Sequence, residues 1–417
     1  MSTTIERISA IDGNALAVRI DELARLSDDP ACLTRLTLSP SHKKAASLVV
    51  EWMQEAGMQV RLDAAGNVIG RYEAQKPGAA KVIIASHIDT VRNAGRFDGN
   101  LGVITGIAVV DELNQQGKRL PFAIEVIAFS DEEGVRFAST LSGSRAIAGV
   151  FEASCLDDTD ADGVSRRQAL RDFGADPSKI EDAACNLVNT LAYLEVHIEQ
   201  GPMLEARNLP LGIVTAINGA TRGEVVVKGE AGHSGTLPMS MRRDAMTAAA
   251  EMILAIEARA RRDADVVATV GRVEIPNGAV NIVPGLVKFS LDVRSSSDVA
   301  RNRAVTDIEA DLAKIAMARR VSAQFTASYD MPATICDAAI VGAMSRAFAQ
   351  NGREPFMLGS GAGHDGMSFR GRIPVGMIFV RCRGGVSHNP AEYASPADMG
   401  AAARVLFDLL LDSGAFA

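Results

Sequence analysis

The strongest constraint on the fold lies between residues 81 and 133, where two apolar runs flank a segment of helical periodicity. Residues 81–86 and 122–130 are short apolar runs, which indicates two buried strands. Between them, residues 99–117 carry apolar side chains at helical spacing and end at a glycine. A strand, a helix and a strand in this order form a β-α-β unit, which predicts an α/β fold.

Ionisable side chains follow both strands of this unit. His87 comes directly after the first strand, Asp98 precedes the helix, and Glu132 and Glu133 follow the second strand. Open α/β sheets place their sites beyond the carboxyl ends of their strands, so we expect these side chains to meet there. Each residue alone is compatible with a solvated acidic turn or an ordinary histidine. The ordered set at strand ends favours a metal site instead.

The residue types suit hydrolytic metal chemistry. Imidazole and carboxylate groups bind zinc, manganese or cobalt, and the two oxygens of Asp98 can bridge two ions. A carboxylate beside a metal-bound water can act as a general base. Adjacent glutamates on an extended loop point in different directions, so one of Glu132 and Glu133 can bind metal while the other takes the proton.

Length and composition define the class of protein. A chain of 417 residues favours two domains, and 47% hydrophobic with 23% charged residues is typical of a globular chain. The net charge of -8 argues against nucleic acid or anionic membranes as partners. The five cysteines form no C-x-x-C pair, which indicates reduced thiols. The first residues do not resemble a signal peptide and no apolar run approaches the ~18 residues of a membrane span, so we expect a cytoplasmic protein.

The pattern of elements changes after about residue 216. The predicted elements there are strand 221–230, helix 242–262, strands 266–274 and 286–294, helix 298–318 and strand 321–328. This β-α-β-β-α-β order is that of a ferredoxin-like domain, which can be inserted into a host because its first and last strands lie close together. We therefore expect a discontinuous α/β catalytic domain with a central mixed sheet, residues 1–216 and 329–417, and an inserted α+β domain, residues 217–328. Residues 141–189 are polar and short of strands, which indicates helices and loops.

The histidines support a site at the strand ends. There are six, and five of them follow strands or lie in glycine-containing loops: His87, His197, His233, His364 and His388. Only His42, at the start of a predicted helix, has no such position. A lone histidine is more often structural than a ligand, but this distribution favours chemistry.

A series of motifs in order along the chain resembles the hydantoinase/carbamoylase branch of the metal-dependent aminoacylase and carboxypeptidase superfamily. The motifs are S-H-I-D-T-V, F-D-G-N-L-G, E-E-G-V-R-F, H-I-E-Q-G-P, H-S-G-T-L-P-M, N-I-V-P-G, D-V-R, G-A-G-H-D and S-H-N-P-A-E. The branch includes N-carbamoyl-L-amino-acid hydrolases, β-ureidopropionases, allantoate amidohydrolases and ureidoglycolate amidohydrolases. The resemblance implies a metallopeptidase-like catalytic domain whose inserted domain serves as a lid and dimerises.

The resemblance also implies roles for individual residues. Two divalent ions, each zinc, manganese or cobalt, would be held by His87, Asp98, Glu133, His197 and His388. Asp98 would bridge the two ions. The catalytic set would be Glu132 as general base, His233 polarising the scissile carbonyl, and Asp89 orienting His87. The substrate would be held by Gln200, Asn281, Arg294 and the loop Gly361, Ala362, Gly363 and His364. One departure is Ser234, where relatives often carry alanine.

The resemblance therefore implies an amidohydrolase that cleaves the ureido bond of a small carboxylate, working as a homodimer in nitrogen catabolism. The spacing H-I-D-T-V-R-N-A-G-R-F-D-G is closest to allantoate amidohydrolases, so allantoate is the expected substrate, with release of ammonia and carbon dioxide. An N-carbamoyl-L-amino acid, β-ureidopropionate or ureidoglycolate is the alternative. An aminoacylase or peptidase comes third. A non-catalytic metal-binding relative is the last alternative, and Glu132 argues against it because binding alone needs no second glutamate.

Overall fold

The structure is a computed structural model that describes residue 9, residues 11–412 and residues 414–416. The chain divides into two compact units. The first comprises the described chain up to Thr215, Ile335–Leu358, and the chain from His364 onward. The second comprises Ala216–Thr334 and Gly359–Gly363.

The described residues form ten α-helices. In chain order they are α1 (Gly13–Ala24), α2 (Pro40–Glu55), α3 (Asn100–Gln115), α4 (Ser142–Ile147), α5 (Arg166–Phe173), α6 (Met203–Ala206), α7 (Ala245–Ala260), α8 (Asp298–Arg319), α9 (Ala338–Gln350) and α10 (Pro396–Leu411). Several begin at a side chain that accepts from the first free amides, such as Ser39 before α2 and Asp337 before α9. None of the described helices has the length and apolar character of a membrane-spanning segment.

Sixteen strands complete the described structure. They are β1 (Gln59–Leu62), β2 (Val68–Tyr72), β3 (Lys81–His87), β4 (Ala123–Phe129), β5 (Thr190–Ile198), β6 (Leu211–Ile217), β7 (Gly219–Lys228), β8 (Gly232–His233), β9 (Val266–Thr269), β10 (Val273–Glu274), β11 (Ile282–Val283), β12 (Leu286–Ser295), β13 (Ser322–Met331), β14 (Thr334–Ile335), β15 (Met357–Ser360) and β16 (Val375–Val380). The sequence had not indicated β6, which is separated from β7 by a single residue, Asn218.

The first unit is built on a mixed sheet, as the sequence predicted. Its strands pair in the order β1-β2-β4-β3-β5-β16-β6, with β4, β3, β5 and β16 parallel and the outer pairs antiparallel. Along β3, Val82 and Ile84 face one hydrophobic core, whereas Ile83 and Ala85 face another. Because both faces are buried, the strand is a continuous apolar run rather than an alternating one.

The second unit is an antiparallel sheet with two helices on one face. The strand order is β10-β12-β7-β13, with β9 also on β12, so the chain order is the predicted β-α-β-β-α-β. Val287, Phe289 and Leu291 of β12 are buried with side chains of α7 and α8, and the alternate residues of β12 are half-buried. The single strand predicted at 266–274 is interrupted between β9 and β10, where Ser290 Oγ accepts hydrogen bonds from the amides of Gly271 and Arg272.

Candidate metal centre

The candidate site lies at the carboxyl ends of the parallel strands of the first unit. His87 ends β3, His197 is the second-last residue of β5, and Glu132 follows β4 after a short turn. The loop after β16 carries His388. Because β3, β4, β5 and β16 are parallel neighbours, their carboxyl ends meet at one edge. The structure therefore brings together residues that are about three hundred positions apart in the chain.

Asp98 occupies the centre of the site. Its Oδ1 is 3.0 Å from His197 Nε2 and 3.7 Å from His87 Nε2. Its Oδ2 is 3.1 Å from His388 Nε2, which is 3.7 Å from Glu133 Oε2. Two groups of potential ligands, one with His87 and His197 and one with Glu133 and His388, thus share Asp98 through different oxygens.

The two buried histidines present Nε2 to this site. His197 Nδ1 is 2.9 Å from the carbonyl oxygen of Ile198, and His87 Nδ1 is 3.1 Å from the carbonyl oxygen of Asp89. A carbonyl only accepts, so each Nδ1 carries the proton and each Nε2 is left to face Asp98. Metal-binding histidines are commonly fixed in this way by a hydrogen bond from the other ring nitrogen.

Electrostatics favour positive charge at those nitrogens. Burial opposes charge on His87, but hydrogen bonds to Asp89 and Asp98 outweigh it and hold the pKa of His87 well above its usual value. Burial likewise opposes charge on Asp98, but His197, His388 and His87 outweigh it and hold the pKa of Asp98 well below its usual range. The field that favours a proton on Nε2 also favours a divalent cation there. The residues present therefore fit a metal centre.

The glutamate pair lies among further carboxylates. Burial raises the pKa of Glu132 well above its usual value, and the charges of Asp365, Asp89 and Asp98 add to this. Burial also raises the pKa of Glu133 well above its usual value, with contributions from Asp98 and Glu132. So many buried carboxylates in one place repel one another unless a cation neutralises them.

Asp89 connects the two strand ends. Its Oδ1 accepts from the amide of Glu132 at 3.1 Å and its Oδ2 accepts from the amide of Glu133 at 3.3 Å. The same Oδ1 lies 3.4 Å from His87 Nδ1. One carboxylate thereby positions a histidine from β3 and the loop after β4.

Sequence reasoning overlooked Glu392. Its Oε1 accepts from the amides of Phe97 and Asp98 at 2.8 and 3.1 Å, and its Oε2 accepts from Ser387 Oγ at 2.9 Å. Glu392 therefore joins the central aspartate to the loop of His388. Glu392 could have been selected from the sequence, because it is the last residue of the motif S-H-N-P-A-E. The motif does not indicate which backbone amides this glutamate binds.

The backbone around the site is tightly constrained. Gly99 has φ +65°, and a Cβ there would lie 2.5 Å from the ring of His87. Gln200 and His388 have φ +56° and +53°, which non-glycine residues rarely adopt. Gln200 Nε2 donates to Asp98 Oδ2 at 2.9 Å, so this predicted substrate residue also contacts the centre.

His364, predicted in the substrate loop, lies among the buried groups of the first unit. Its ring centroid is 4.5 Å from that of His197, and it forms a third group of potential ligands with Glu195 and His197. Burial and the neighbouring charges of His197 and His87 hold the pKa of His364 well below its usual value, so the ring is neutral. Glu195 accepts from Ser86 Oγ and Tyr193 Oη, at 3.1 and 2.9 Å.

The remaining predicted residues belong to the second unit. His233 in β8 pairs with Ile282 in β11, directly after Asn281. Arg294 in β12 pairs with Asp292 at 2.8 Å and donates from Nη1 to the carbonyl oxygen of Gly361 at 2.7 Å. Arg294, Asp292 and Gly361 line a cavity of about 620 Å³, large enough for a small ligand. The predicted loop residues 361–363 therefore lie in this unit.

The fold and the site define a metal-dependent hydrolase with a mixed α/β sheet. The family model for peptidase family M20/M25/M40 matches residues 83–412. An N-carbamoyl-L-amino acid amidohydrolase of Geobacillus stearothermophilus is 42% identical over 398 residues, which cover 95% of this chain and 97% of that protein. An allantoate deiminase of Arabidopsis thaliana is 38% identical over 432 aligned residues, covering 96% of this chain and 82% of that protein.

A solved structure of the same type of enzyme also matches this chain. The hydantoinase/carbamoylase family amidase of Burkholderia multivorans matches with a TM-score of 0.91 and 33% identity, covering 97% of this chain and 98% of that one. This protein belongs to the peptidase M20/M25/M40 family, and the resemblance inferred from its motifs is confirmed.

Proposed function

We propose that this protein hydrolyses the ureido (N-carbamoyl) C–N bond of a small carboxylate, with allantoate as the first candidate substrate and an N-carbamoyl-L-amino acid as the second. The observation that carries the proposal is the pair of potential ligand groups sharing Asp98 beside Glu132. The two named relatives support the substrate class, since their names specify carbamoyl amino acids and allantoate. The aminoacylase or peptidase alternative is supported by the family name.

We propose that one ion is held by His87, His197 and Asp98, and a second by Asp98, Glu133 and His388. When bound, such ions polarise a carbonyl oxygen and lower the pKa of an attacking water. The choice among zinc, manganese and cobalt is open, because all accept imidazole and carboxylate ligands.

Glu132 is the proposed proton carrier. Its burial raises its pKa, so it is a better proton acceptor than an exposed carboxylate. Glu132 takes a proton from the attacking water and delivers it to the leaving nitrogen as the C–N bond breaks. The terminal amide then leaves as ammonia, and the carbamate that remains loses carbon dioxide. Asp89 keeps Glu132 in place through the amide hydrogen bond described above.

We further propose that residues 217–328 form a lid and dimerisation domain for a catalytic domain of residues 1–216 and 329–417 in a cytoplasmic homodimer. Within the second unit, the adjacent positions of His233 and Asn281 and the contact of Arg294 with Gly361 support a shared role in substrate binding. His233 would polarise the scissile carbonyl, and Arg294 would bind the carboxylate with its planar guanidinium.

The proposal is tested by ammonia release from allantoate, N-carbamoyl-L-amino acids and ureidoglycolate, with dipeptides and N-acyl amino acids as competitors. We expect turnover of a ureido acid that is lost on chelation and restored by manganese, zinc or cobalt. Glu132→Gln should keep its metal content and lose turnover, because it removes only the proton acceptor. Glu181→Gln, an exposed glutamate of the same unit, serves as the matched control. A chelated, metal-free protein with full activity, or preference for dipeptides, would refute the proposal.

A further inference from the structure

The loop that carries the glutamate pair is held from two sides. We call residues 131–140 the glutamate loop. On one side, the carboxylate of Asp89 accepts hydrogen bonds from the backbone amides of Glu132 and Glu133, as described above. At the far end of the loop, the amide of Leu141 donates back to the carbonyl oxygen of Glu132 at 3.2 Å. This side of the loop is therefore fixed by Asp89, which also contacts His87.

On the other side, the first residue of the loop forms a buried ion pair. Arg166 Nη1 lies 2.6 Å from Asp131 Oδ2, and the two side chains are 2% and 1% exposed. Arg166 Nη2 donates to Ser139 at both Oγ and the carbonyl oxygen, at 2.8 and 3.2 Å. Its guanidinium also lies 4.5 Å from the ring centre of Phe137. One side chain thus contacts the glutamate loop at its beginning, middle and end.

Arg166 is itself presented by a closed turn, residues 158–166, which we call the clip. A β-bridge between Thr159 and Ser165 closes the turn. Inside the turn, Asp160 Oδ1 accepts hydrogen bonds from the amides of Asp162 and Val164. The amide of Arg166 donates to the carbonyl oxygen of Asp158 at 2.8 Å, while the carboxylate of Asp158 accepts from Ser139 Oγ at 2.9 Å. The clip lies in the polar region 141–189, to which the sequence assigned no role.

A second contact joins the clip to the glutamate loop. Arg136 Nε lies 3.0 Å from Asp160 Oδ2, and Arg136 Nη1 donates to the carbonyl oxygen of Thr37 at 3.0 Å. The clip therefore contacts the loop through both a cation of its own and a carboxylate. An ordinary solvent-exposed connection would not require a fully buried arginine, whose desolvation is costly.

The charge of Arg166 has a specific use. Asp131 is buried at the start of the glutamate loop, and Arg166 is the cation that pairs with it at 2.6 Å. Without Arg166, Asp131 would be left as an unpaired buried carboxylate directly before Glu132 and Glu133, which favours displacement of the start of the loop. From this geometry we propose that Arg166 is a positioning residue that fixes the position of the glutamate pair. The clip holds Arg166 against the glutamate loop. This inference rests on the proposed function, because it assigns Glu133 to a metal and Glu132 to proton transfer.

The test uses the full chain and compares Arg166→Met and Arg166→Lys with Arg167→Met. Arg167 is the matched control, since it is the next residue and pairs with the exposed side chain of Asp157. In the metal-free protein we expect faster hydrogen exchange of the Glu132 and Glu133 amides in Arg166→Met. Titration with manganese should show weaker binding by about 10- to 100-fold, the usual effect of losing a group that orients metal ligands. Arg166→Lys should recover part of the loss, and Arg167→Met should match the native protein.

Activity provides a further measurement. Because the loop carries the proton acceptor, kcat for the ureido substrate should fall in Arg166→Met with little change in KM. If the native protein hydrolyses no ureido acid, the proposed function fails, yet hydrogen exchange and manganese binding still decide the inference because neither uses substrate.

Unchanged exchange and manganese affinity in Arg166→Met would overturn the inference, even with a lower melting temperature, since that result shows a purely structural role. If Arg166→Met does not fold, Ser139→Ala decides instead. That variant removes one hydrogen bond between Arg166 and the loop. The same changes at smaller size would support the inference, and native behaviour would overturn it.

Discussion

Replacing Gly99 with alanine should test how closely the backbone determines the metal centre. Gly99 precedes α3 with φ +65°, and an alanine Cβ would lie 2.5 Å from three atoms of the His87 ring. Gly117 follows the same helix with φ +63°, but a Cβ there would meet nothing within 4 Å. Both glycines therefore have a positive φ that strains an alanine. At Gly99 the ψ of -51° also lies outside the left-handed helical region, and an added Cβ would contact His87.

The size of the effect follows from these distances. Carbon atoms in contact lie about 3.5 Å apart or more, so the His87 ring must move by about 1 Å to accommodate Gly99→Ala. A displacement of that size in a catalytic group can lower the rate about 10²-fold, or about 2.7 kcal/mol of activation free energy. The strain of alanine at positive φ costs about 1–2 kcal/mol of stability, and Gly99→Ala should lose more than this because its Cβ also meets the His87 ring.

The assay measures kcat/KM, metal affinity and the free energy of unfolding of the native protein, Gly99→Ala and Gly117→Ala. We expect both variants to lose stability, Gly99→Ala the more, and only Gly99→Ala to lose activity and metal affinity, because only that variant displaces His87 Nε2 from Asp98. If Gly99→Ala keeps native activity and metal affinity while losing as much stability as Gly117→Ala, the ring of His87 is not held by Gly99 and the reasoning is wrong.

Two further predictions concern a predicted substrate-binding residue and the effect of pH on stability. Arg294→Lys keeps the charge but loses the planar fork, so kcat/KM for the carboxylate substrate should fall by about tenfold, or about 1.4 kcal/mol. Arg272→Lys, at an exposed arginine of the same unit that pairs with Glu274, should have little effect. Equal sensitivity of a neutral substrate analogue to Arg294→Lys would rule out the carboxylate role. Burial lowers the pKa of His42 to about 4 in the folded protein, whereas a histidine in the unfolded chain has a pKa of about 6.5. The unfolded chain therefore binds the proton more tightly. The free energy of unfolding should decrease as the pH falls from about 6.5 to 4, by up to about 1.4 kcal/mol per pH unit. Urea unfolding over this range should show a shallower pH slope for His42→Gln than for the native protein, and equal slopes would contradict the assignment.

The position of the central cluster could be predicted because it depends on local order. The apolar runs at 81–86 and 122–130 end immediately before His87 and Asp131. Parallel strands meet at one edge, so strand ends that are far apart in sequence must lie close together. His42, which the sequence places at the start of a helix and not at a strand end, is buried, and its Nδ1 accepts a hydrogen bond from the amide of Leu38 at 2.8 Å.

Other features needed the tertiary structure because their partners lie far away in the chain. Nothing near Arg166 indicates that it pairs with Asp131, thirty-five residues earlier. The same is true of Glu392, which holds the amides of Phe97 and Asp98 from almost three hundred residues away. A hydrogen bond is directional and short, so its partners are known only when the backbone path between them is known.

The sequence by itself determined the α/β class, the order of elements in the inserted ferredoxin-like pattern, and the residue types gathered at the strand ends, because periodicity and strand order follow from local side-chain patterns. Only the tertiary structure decided which oxygen of Asp98 faces which histidine, which tautomers His87 and His197 adopt, and which buried side chains hold the glutamates. Those choices depend on ångström-scale distances between segments that the fold brings together, and a linear sequence does not contain such distances.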